Sequence, residues 1–185
     1  MAGPLLLASA PPRRRVFFAL WPDHVTAAAL HETARGLWLA CGGRLMRRDT
    51  LHLTLAFLGE VPGAALDRLS RAAARIEGAP FVLELDRVGS WHGQRIVWLA
   101  PQEVPAALSA LAGDLDAELE AEGFALEARP FSPHVTLLRN ARSALPATGP
   151  AAVRWPVSAF ALLESVRGVG VATYRVLGSW PLAGK

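Results

Sequence analysis

Two stretches, His52-Leu53-Thr54-Leu55 and His134-Val135-Thr136-Leu137, decide how this chain is read. Both spell His-x-Thr-Leu with an aliphatic residue at x. Alternation of this kind marks a half-buried strand, in which residues i and i+2 share a face. His52 and Thr54 then project to one side, with Leu53 and Leu55 on the other. His134 and Thr136 are set apart from Val135 and Leu137 in the same way. Each strand sinks its aliphatic side into a core and holds an imidazole and a hydroxyl on the opposite side. The second stretch follows the first by 82 positions (52 to 134), a little under half of the 185 residues. A motif repeated at that spacing predicts duplicated halves facing each other across a groove. One His-x-Thr on a strand is ordinarily structural. Two copies with the same alternation and the same trailing leucine, where β preference favours apolar or aromatic side chains, point to chemistry. Two imidazoles across a groove make an acid and a base.

The rest of the composition bounds that reading. Hydrophobic residues make up 52% and charged residues 19%, which places the chain among globular and not disordered proteins. Its length suits one good-sized domain or two small fused lobes. The formal charge is +3 and the sequence pI is about 10.0. Lys185 is the sole lysine, so 18 of the 19 basic residues are arginine. Arginine keeps its charge and forks onto phosphate oxygens, which gives weak support to an anionic partner. Cys41 is the only cysteine. It allows neither an intramolecular disulfide nor a cysteine-based zinc site, and fits a reducing cytosol. No run of 18 apolar residues is present. Leu5-Leu6-Leu7 is too short for a signal core, and Arg13-Arg14-Arg15 follow it where a signal peptide would place charge first. A cytoplasmic monomer is expected, with no membrane contact, a disordered tail over 1–12 and a single bilobal domain over 13–185.

Along the chain, Val16 to Trp21 reads as a buried strand stopped by Pro22. Asp23 sits where an N-cap would, before an Ala- and Leu-rich helix over 24–40 that Gly42-Gly43 ends. His24 and His31 lie on that helix with no third ligand nearby and are read as surface or packing residues. The first motif strand is expected over Leu51 to Leu58, closed by Gly59. Val61-Pro62 is expected to open a second helix running to about Ile76. Phe81 to Asp86 alternates as a strand, Gly89-Ser90-Trp91-His92-Gly93 reads as a turn, and Arg95 to Ala100 as another strand. Trp91 could stack on a base, although large aromatics are more often core; His92 reads as solvated. Leu108, Leu111, Leu115 and Leu119 mark an amphipathic helix over 103–122, with Asp114, Asp116, Glu118 and Glu120 on a solvated face. Pro133 fixes the approach to the second motif strand, which runs to about Arg139. Residues 141–156 read as a loop. Val157 to Leu163 and Tyr174 to Leu177 read as the closing strands. The sum is an α+β domain with mainly antiparallel sheets.

With these residues in view the chain resembles the two-histidine phosphoesterases, specifically the bacterial RNA 2′,3′-cyclic phosphodiesterases, also called 2′-5′ RNA ligases. Arg15-Val16-Phe17-Phe18-Ala19, Leu51 to Gly59, Val97-Trp98-Leu99 and Arg129 to Arg139 carry the resemblance. It implies two pseudo-symmetric lobes, each an antiparallel sheet with helices packed outside, and a central cleft between them. It implies a reaction without metal or cofactor that opens a 2′,3′-cyclic phosphate to a 2′-phosphomonoester. The resemblance makes His52 the proton donor to the departing 3′ oxygen, His134 the proton acceptor from water, and Thr54 and Thr136 the phosphate contacts. Spacing alone does not say which histidine is the acid. Arg139 is a further candidate phosphate contact, although strict alternation puts it on the face opposite His134. Two departures stand out. Thr50 replaces the asparagine that relatives often carry before Leu-His-Leu-Thr. The segment Gly168-Val169-Gly170-Val171-Ala172-Thr173, basic in relatives, has only Arg167 nearby. The partners expected are RNA ends or small cyclic phosphates. A same-fold enzyme acting on 2′-5′ oligoadenylate or a small cyclic nucleotide, and a non-catalytic module that only holds RNA ends, are the alternatives.

Overall fold

In the computed structural model Arg13–Leu20 forms strand β1, covered on both sides. The structure describes residues 13–126, 130–167 and 172–184. The tail 1–12, Arg129 and positions 168–171 lie outside the described residues. Val16, Phe18 and Leu20 enter the main core, while Phe17 and Ala19 join a smaller cluster with Ala161 and Leu163 on the opposite face. Pro22 breaks the strand, and the Asp23 carboxylate accepts a 2.7 Å hydrogen bond from the Thr26 amide to start helix α1, His24–Cys41. Gly42, at φ 63°, ends it.

The remaining elements in chain order are β2 (Arg44–Leu45), β3 (Leu53–Pro62), α2 (Leu66–Ala74), β4 (Phe81–Leu85), β5 (Arg87–Trp91), β6 (Ile96–Ala100), α3 (Ala106–Ala121), β7 (Val135–Arg139), β8 (Val153–Val157), β9 (Ala159–Arg167) and β10 (Ala172–Pro181). The large sheet runs β10-β9-β1-β3-β7-β6-β5, with β2 added on β7. Its pairings are antiparallel, as is β4 on β8 in a second, two-stranded sheet. Leu53, Leu55, Val135 and Leu137 share one core with Leu30 and Leu37 of α1, Leu69 of α2 and Leu108 and Leu115 of α3. The helices therefore cover the face that the motif leucines enter, and the motif histidines are left on the other.

The two halves meet at one place. β3 and β7 pair only through Leu53 opposite Val135, the x residues of the two motifs. A pseudo-twofold relation about that pair matches β3 to β7 at a spacing of 82 positions and β1 to β6 at a spacing of 79. The flanking ladders obey it: Leu20, Ala19 and Phe18 of β1 face Leu53, Thr54 and Ala56, as Leu99, Trp98 and Val97 of β6 face Val135, Thr136 and Leu138. Leu55 and Leu137 are the skipped residues, so each lobe carries a β-bulge at the same point. With one residue pair joining them, β3 and β7 part on either side of the axis and open a cleft.

Several expected boundaries move for identifiable reasons. Gly59 does not close β3. It sits at φ 68° beside a second bulge at Leu58, where Val16 faces Gly59 and Phe17 faces Phe57, and the strand runs on to Pro62. The second helix consequently starts late, at Leu66, after one tight turn over Gly63–Ala65. Gly89-Ser90-Trp91 is strand, not turn. Gly89 faces Trp98, and a Cβ there would lie 2.2 Å from its indole, so the glycine makes room for the ring. Only His92–Gln94 turns, with Arg95 left-handed at φ 52°. Within 141–156, Val153, Trp155 and Val157 alternate inward as β8, whose Pro156 is tolerated because β8 is paired on one side only. Of the α3 charges read as solvated, Asp116 is instead half-buried at the cleft, while Glu118 stays on the exposed side and, with Glu122 just beyond the helix, pairs with Arg75 beside α2. No helix among the described residues is long and apolar enough to cross a membrane.

Candidate active site

His52 precedes β3 and His134 precedes β7, each flanking the joint between the lobes. With Leu53 opposite Val135, antiparallel register sets His52 across from Thr136 and Thr54 across from His134. All four side chains occupy the face away from the core. The histidines are diagonal to one another, a relation that spans roughly 7–8 Å in a regular ladder, and here the strands part beside them. That separation leaves room for a tetrahedral group between them. The two motifs fold alike because both begin with the same local bond. His52 Nδ1 lies 2.8 Å from the Thr50 carbonyl and His134 Nδ1 lies 2.8 Å from the Ser132 carbonyl. A carbonyl only accepts, so each Nδ1 carries the proton and each Nε2 is left to face the cleft. The bond to residue 50 uses its backbone, so Thr50 in place of asparagine leaves it intact. The Thr50 hydroxyl instead donates to the Arg47 carbonyl at 2.8 Å.

The two rings differ in their surroundings. His52 lies among Phe17 (centroids 4.9 Å apart), Tyr174 (5.1 Å, edge-on) and Trp21 (6.1 Å, stacked). Burial lowers its pKa from 6.5 to about 4, against the raising effect of the Thr50 carbonyl and with smaller lowering effects from His134 and Arg139. The aromatic surroundings therefore hold His52 neutral. The Trp91 ring meets His134 edge-on at 4.6 Å.

The bulge at Leu137 resolves where Arg139 points. Leu137 and Leu138 are both buried, so the next residue returns to the cleft face, and Arg139 lines the cleft beside Thr136 and His134. Strict alternation would have placed it on the other face. The bulge at Leu55 does the same for Phe57, the pseudo-symmetric counterpart, and Arg15 of β1 lies over that ring at 4.7 Å. The cleft has two connected parts sharing Thr54, Phe57, His134, Thr136 and Arg139. One, of about 380 Å³, adds Arg15, Phe17, His52 and Tyr174. The other, of about 340 Å³, adds Trp91, Gln94, Phe131 and Asp116. Burial, then the charge of Glu120, raises the Asp116 pKa. Among the described residues no cluster of three His, Cys, Asp or Glu side chains could hold a metal. His92 is exposed, in keeping with a solvated side chain, and His24 and His31 line a separate outer groove with Trp21, Arg47 and Arg48.

Known proteins resemble this chain in sequence and in fold. A family model described as the 2′-5′ RNA ligase superfamily matches residues 19–169. This chain belongs to that superfamily. Within it, the RNA 2′,3′-cyclic phosphodiesterase of Escherichia coli K12 is 37% identical over 177 residues, covering 91% of this chain and 97% of that protein. The protein of the same name from Thermus thermophilus is 34% identical over 185 residues, covering 92% and 91%. The crystal structure of E. coli LigT complexed with 3′-AMP superposes with a TM-score of 0.84 at 35% identity, covering 92% of this chain and 99% of that one. For this superfamily member, the sequence missed Arg15, Phe57 and Tyr174 as cleft residues. Arg15 was the findable one, since Arg15, Phe17 and Ala19 alternate onto one face of β1. Phe57 was hidden by its bulge. Tyr174 sits on β10 and reaches His52 only through the folded sheet.

Proposed function

We propose that this chain is an RNA 2′,3′-cyclic phosphodiesterase that hydrolyses cyclic ends to 2′-phosphomonoesters by paired-histidine acid–base catalysis. The observation that carries the reading is the quartet His52, Thr54, His134 and Thr136, gathered on one sheet face around the Leu53–Val135 pair. The names of its relatives support it. Water attacks phosphorus in line with the 3′ oxygen, and the P–O3′ bond breaks. His134 Nε2 takes the proton from water as the new P–O bond forms. His52 Nε2–H gives a proton to O3′, leaving a free 3′ hydroxyl and a 2′ phosphate. Solvent exchange resets both rings. A 5′ hydroxyl in place of water would give a 2′-5′ linkage, and the reverse of that step restores the cyclic ester. The Thr54 and Thr136 hydroxyls and the Arg139 guanidinium meet the non-bridging oxygens, whose charge grows in the transition state. No step calls for a metal.

His52 is neutral before substrate binds, so as the acid it takes up a proton when the anionic phosphate arrives beside Nε2. Its resting neutrality favours a second reading with the roles exchanged, His52 as base and His134 as acid. One experiment separates these and tests the whole. His52→Ala and His134→Ala are each assayed on an RNA oligomer ending in a 2′,3′-cyclic phosphate, then on the analogue whose 3′ leaving atom is sulfur. Each variant is expected to lose about 10²–10⁴-fold in kcat on the oxygen substrate. A sulfur leaving group needs no acid, so the variant lacking the acid recovers and the one lacking the base does not. Undiminished turnover of the oxygen substrate by either variant would end the proposal.

A further inference from the structure

The rim of the cleft carries an arginine that the reaction above does not use. Residues opposite each other on antiparallel strands point to the same side of a sheet. β2 sets Arg44 opposite Arg139 and Leu45 opposite Leu138. Arg139 lines the cleft, as does Met46, two residues beyond Arg44. Arg44 therefore stands on the cleft side of the sheet, beside Arg139 and farther from the histidines. Cβ atoms so opposed lie roughly 4.5–5.5 Å apart.

Both guanidinium-bearing residues are exposed, and among the described residues neither has a carboxylate partner. Arg14, Arg35, Arg47, Arg68, Arg75 and Arg175 all do. Like charges directly opposed in a sheet are unfavourable. The backbone nevertheless holds them together. Gly43 packs so closely that a Cβ would fall 2.7 Å from the Arg139 and Asn140 carbonyl oxygens. The Ala141 amide donates to the Arg95 carbonyl at 3.0 Å and the Arg142 amide to the Cys41 carbonyl at 2.8 Å, which fixes the segment after Arg139. Two unpaired forks fixed side by side, one inside the cleft and one at its rim, match a ligand with two successive phosphates.

We propose that Arg44 binds the phosphodiester on the 5′ side of the terminal nucleotide while Arg139 meets the cyclic phosphate, so that the enzyme selects the end of an RNA strand over a cyclic mononucleotide. The inference rests on the phosphodiesterase reading and adds a substrate preference to it. A nucleoside 2′,3′-cyclic phosphate lacks the second phosphate and gives Arg44 nothing to hold.

Steady-state kinetics with nucleoside 2′,3′-cyclic phosphates and with a short oligonucleotide ending in the same group test it, using the parent protein, Arg44→Ala and Arg44→Lys at several salt concentrations. Arg44→Ala is expected to raise KM for the oligonucleotide by about tenfold with kcat kept, and to leave the mononucleotide kinetics alone. The slope of log KM against log salt for the oligonucleotide should fall by about 0.7, the single-strand value for one phosphate contact. Arg44→Lys should keep the salt slope and part of the affinity. Melting temperature should hold or rise in Arg44→Ala, since an opposed like charge is gone; a purely structural arginine would lower it. Equal losses on the two substrates, or an unchanged oligonucleotide KM, overturn the proposal. Parent turnover of the mononucleotide upholds the phosphodiesterase reading whatever Arg44 does, and absence of turnover on both substrates overturns the two together.

Discussion

Replacing His52 by glutamine should flatten the acid limb of the protein's stability. In the fold the imidazole pKa is lowered from 6.5 to about 4, chiefly by burial among Phe17, Trp21 and Tyr174. Between those two pH values the unfolded chain binds a proton at His52 that the native state does not. Stability therefore rises with pH across the window. The contribution is fully present above pH 6.5 and is lost as pH falls toward about 4, below which both states are protonated. At about 1.36 kcal/mol per pH unit the ceiling is about 3 kcal/mol. The ring keeps an edge open to the cleft, so screening reduces this to on the order of 1–3 kcal/mol. The assay is urea unfolding of parent and His52→Gln in phosphate-free buffer, at about pH 7, above the window, and at about pH 4.5, near its lower end. Other titrating groups are common to both proteins and cancel in the double difference. The parent is expected to lose on the order of 1–2 kcal/mol more than the variant on acidification. Parallel losses would mean that the ring titrates as in water, and would refute the aromatic enclosure as the cause of its neutrality. Saturating phosphate should shrink the difference, because an anion beside Nε2 favours the charged ring.

Other perturbations probe the remaining parts. Thr54→Val and Thr136→Val should each lower kcat on a cyclic phosphate end by about 10–10³-fold with little change in melting temperature, as for loss of one donor to a developing charge; an unaffected rate would remove the hydroxyls from the phosphate. Gly89→Ala forces a Cβ to 2.2 Å from Trp98 and should cost about 1–3 kcal/mol in denaturant unfolding; because Trp91 joins Trp98 to His134, kcat should fall with it. Asp23→Ala removes the cap on Thr26 and should cost about 1 kcal/mol of stability while leaving turnover intact. Rate should trace a bell against pH and survive EDTA; inactivation by chelation would bring in a metal.

The alternation of His52-Leu53-Thr54-Leu55 and its copy at 134 was enough to assign the faces and to forecast two joined halves. Side-chain direction in a strand is local, set by the backbone pleat, and survives whatever the strand packs against. The same alternation put Arg139 on the wrong face and gave no sign that Phe57 enters the cleft. A bulge is decided by the ladder with β6 or β1, and one extra residue inverts the face of all that follows. Local reading failed at Gly89 too, where the glycine answers to an indole on the next strand rather than to a turn.

What the sequence alone determined is the pair of half-buried motif strands, their duplication and the chemistry the motif side chains can perform. Tertiary structure alone decided that the motifs meet at Leu53 and Val135, that Arg139 and Phe57 turn back into the cleft, and that His52 sits in an aromatic enclosure while Trp91 packs edge-on against His134. Those features depend on partners brought from Phe17, Trp21, Trp91 and Tyr174. Local periodicity carries no information about contacts between residues so distant in the chain, because such contacts are fixed by ladder register and packing, which form only when the whole sheet does.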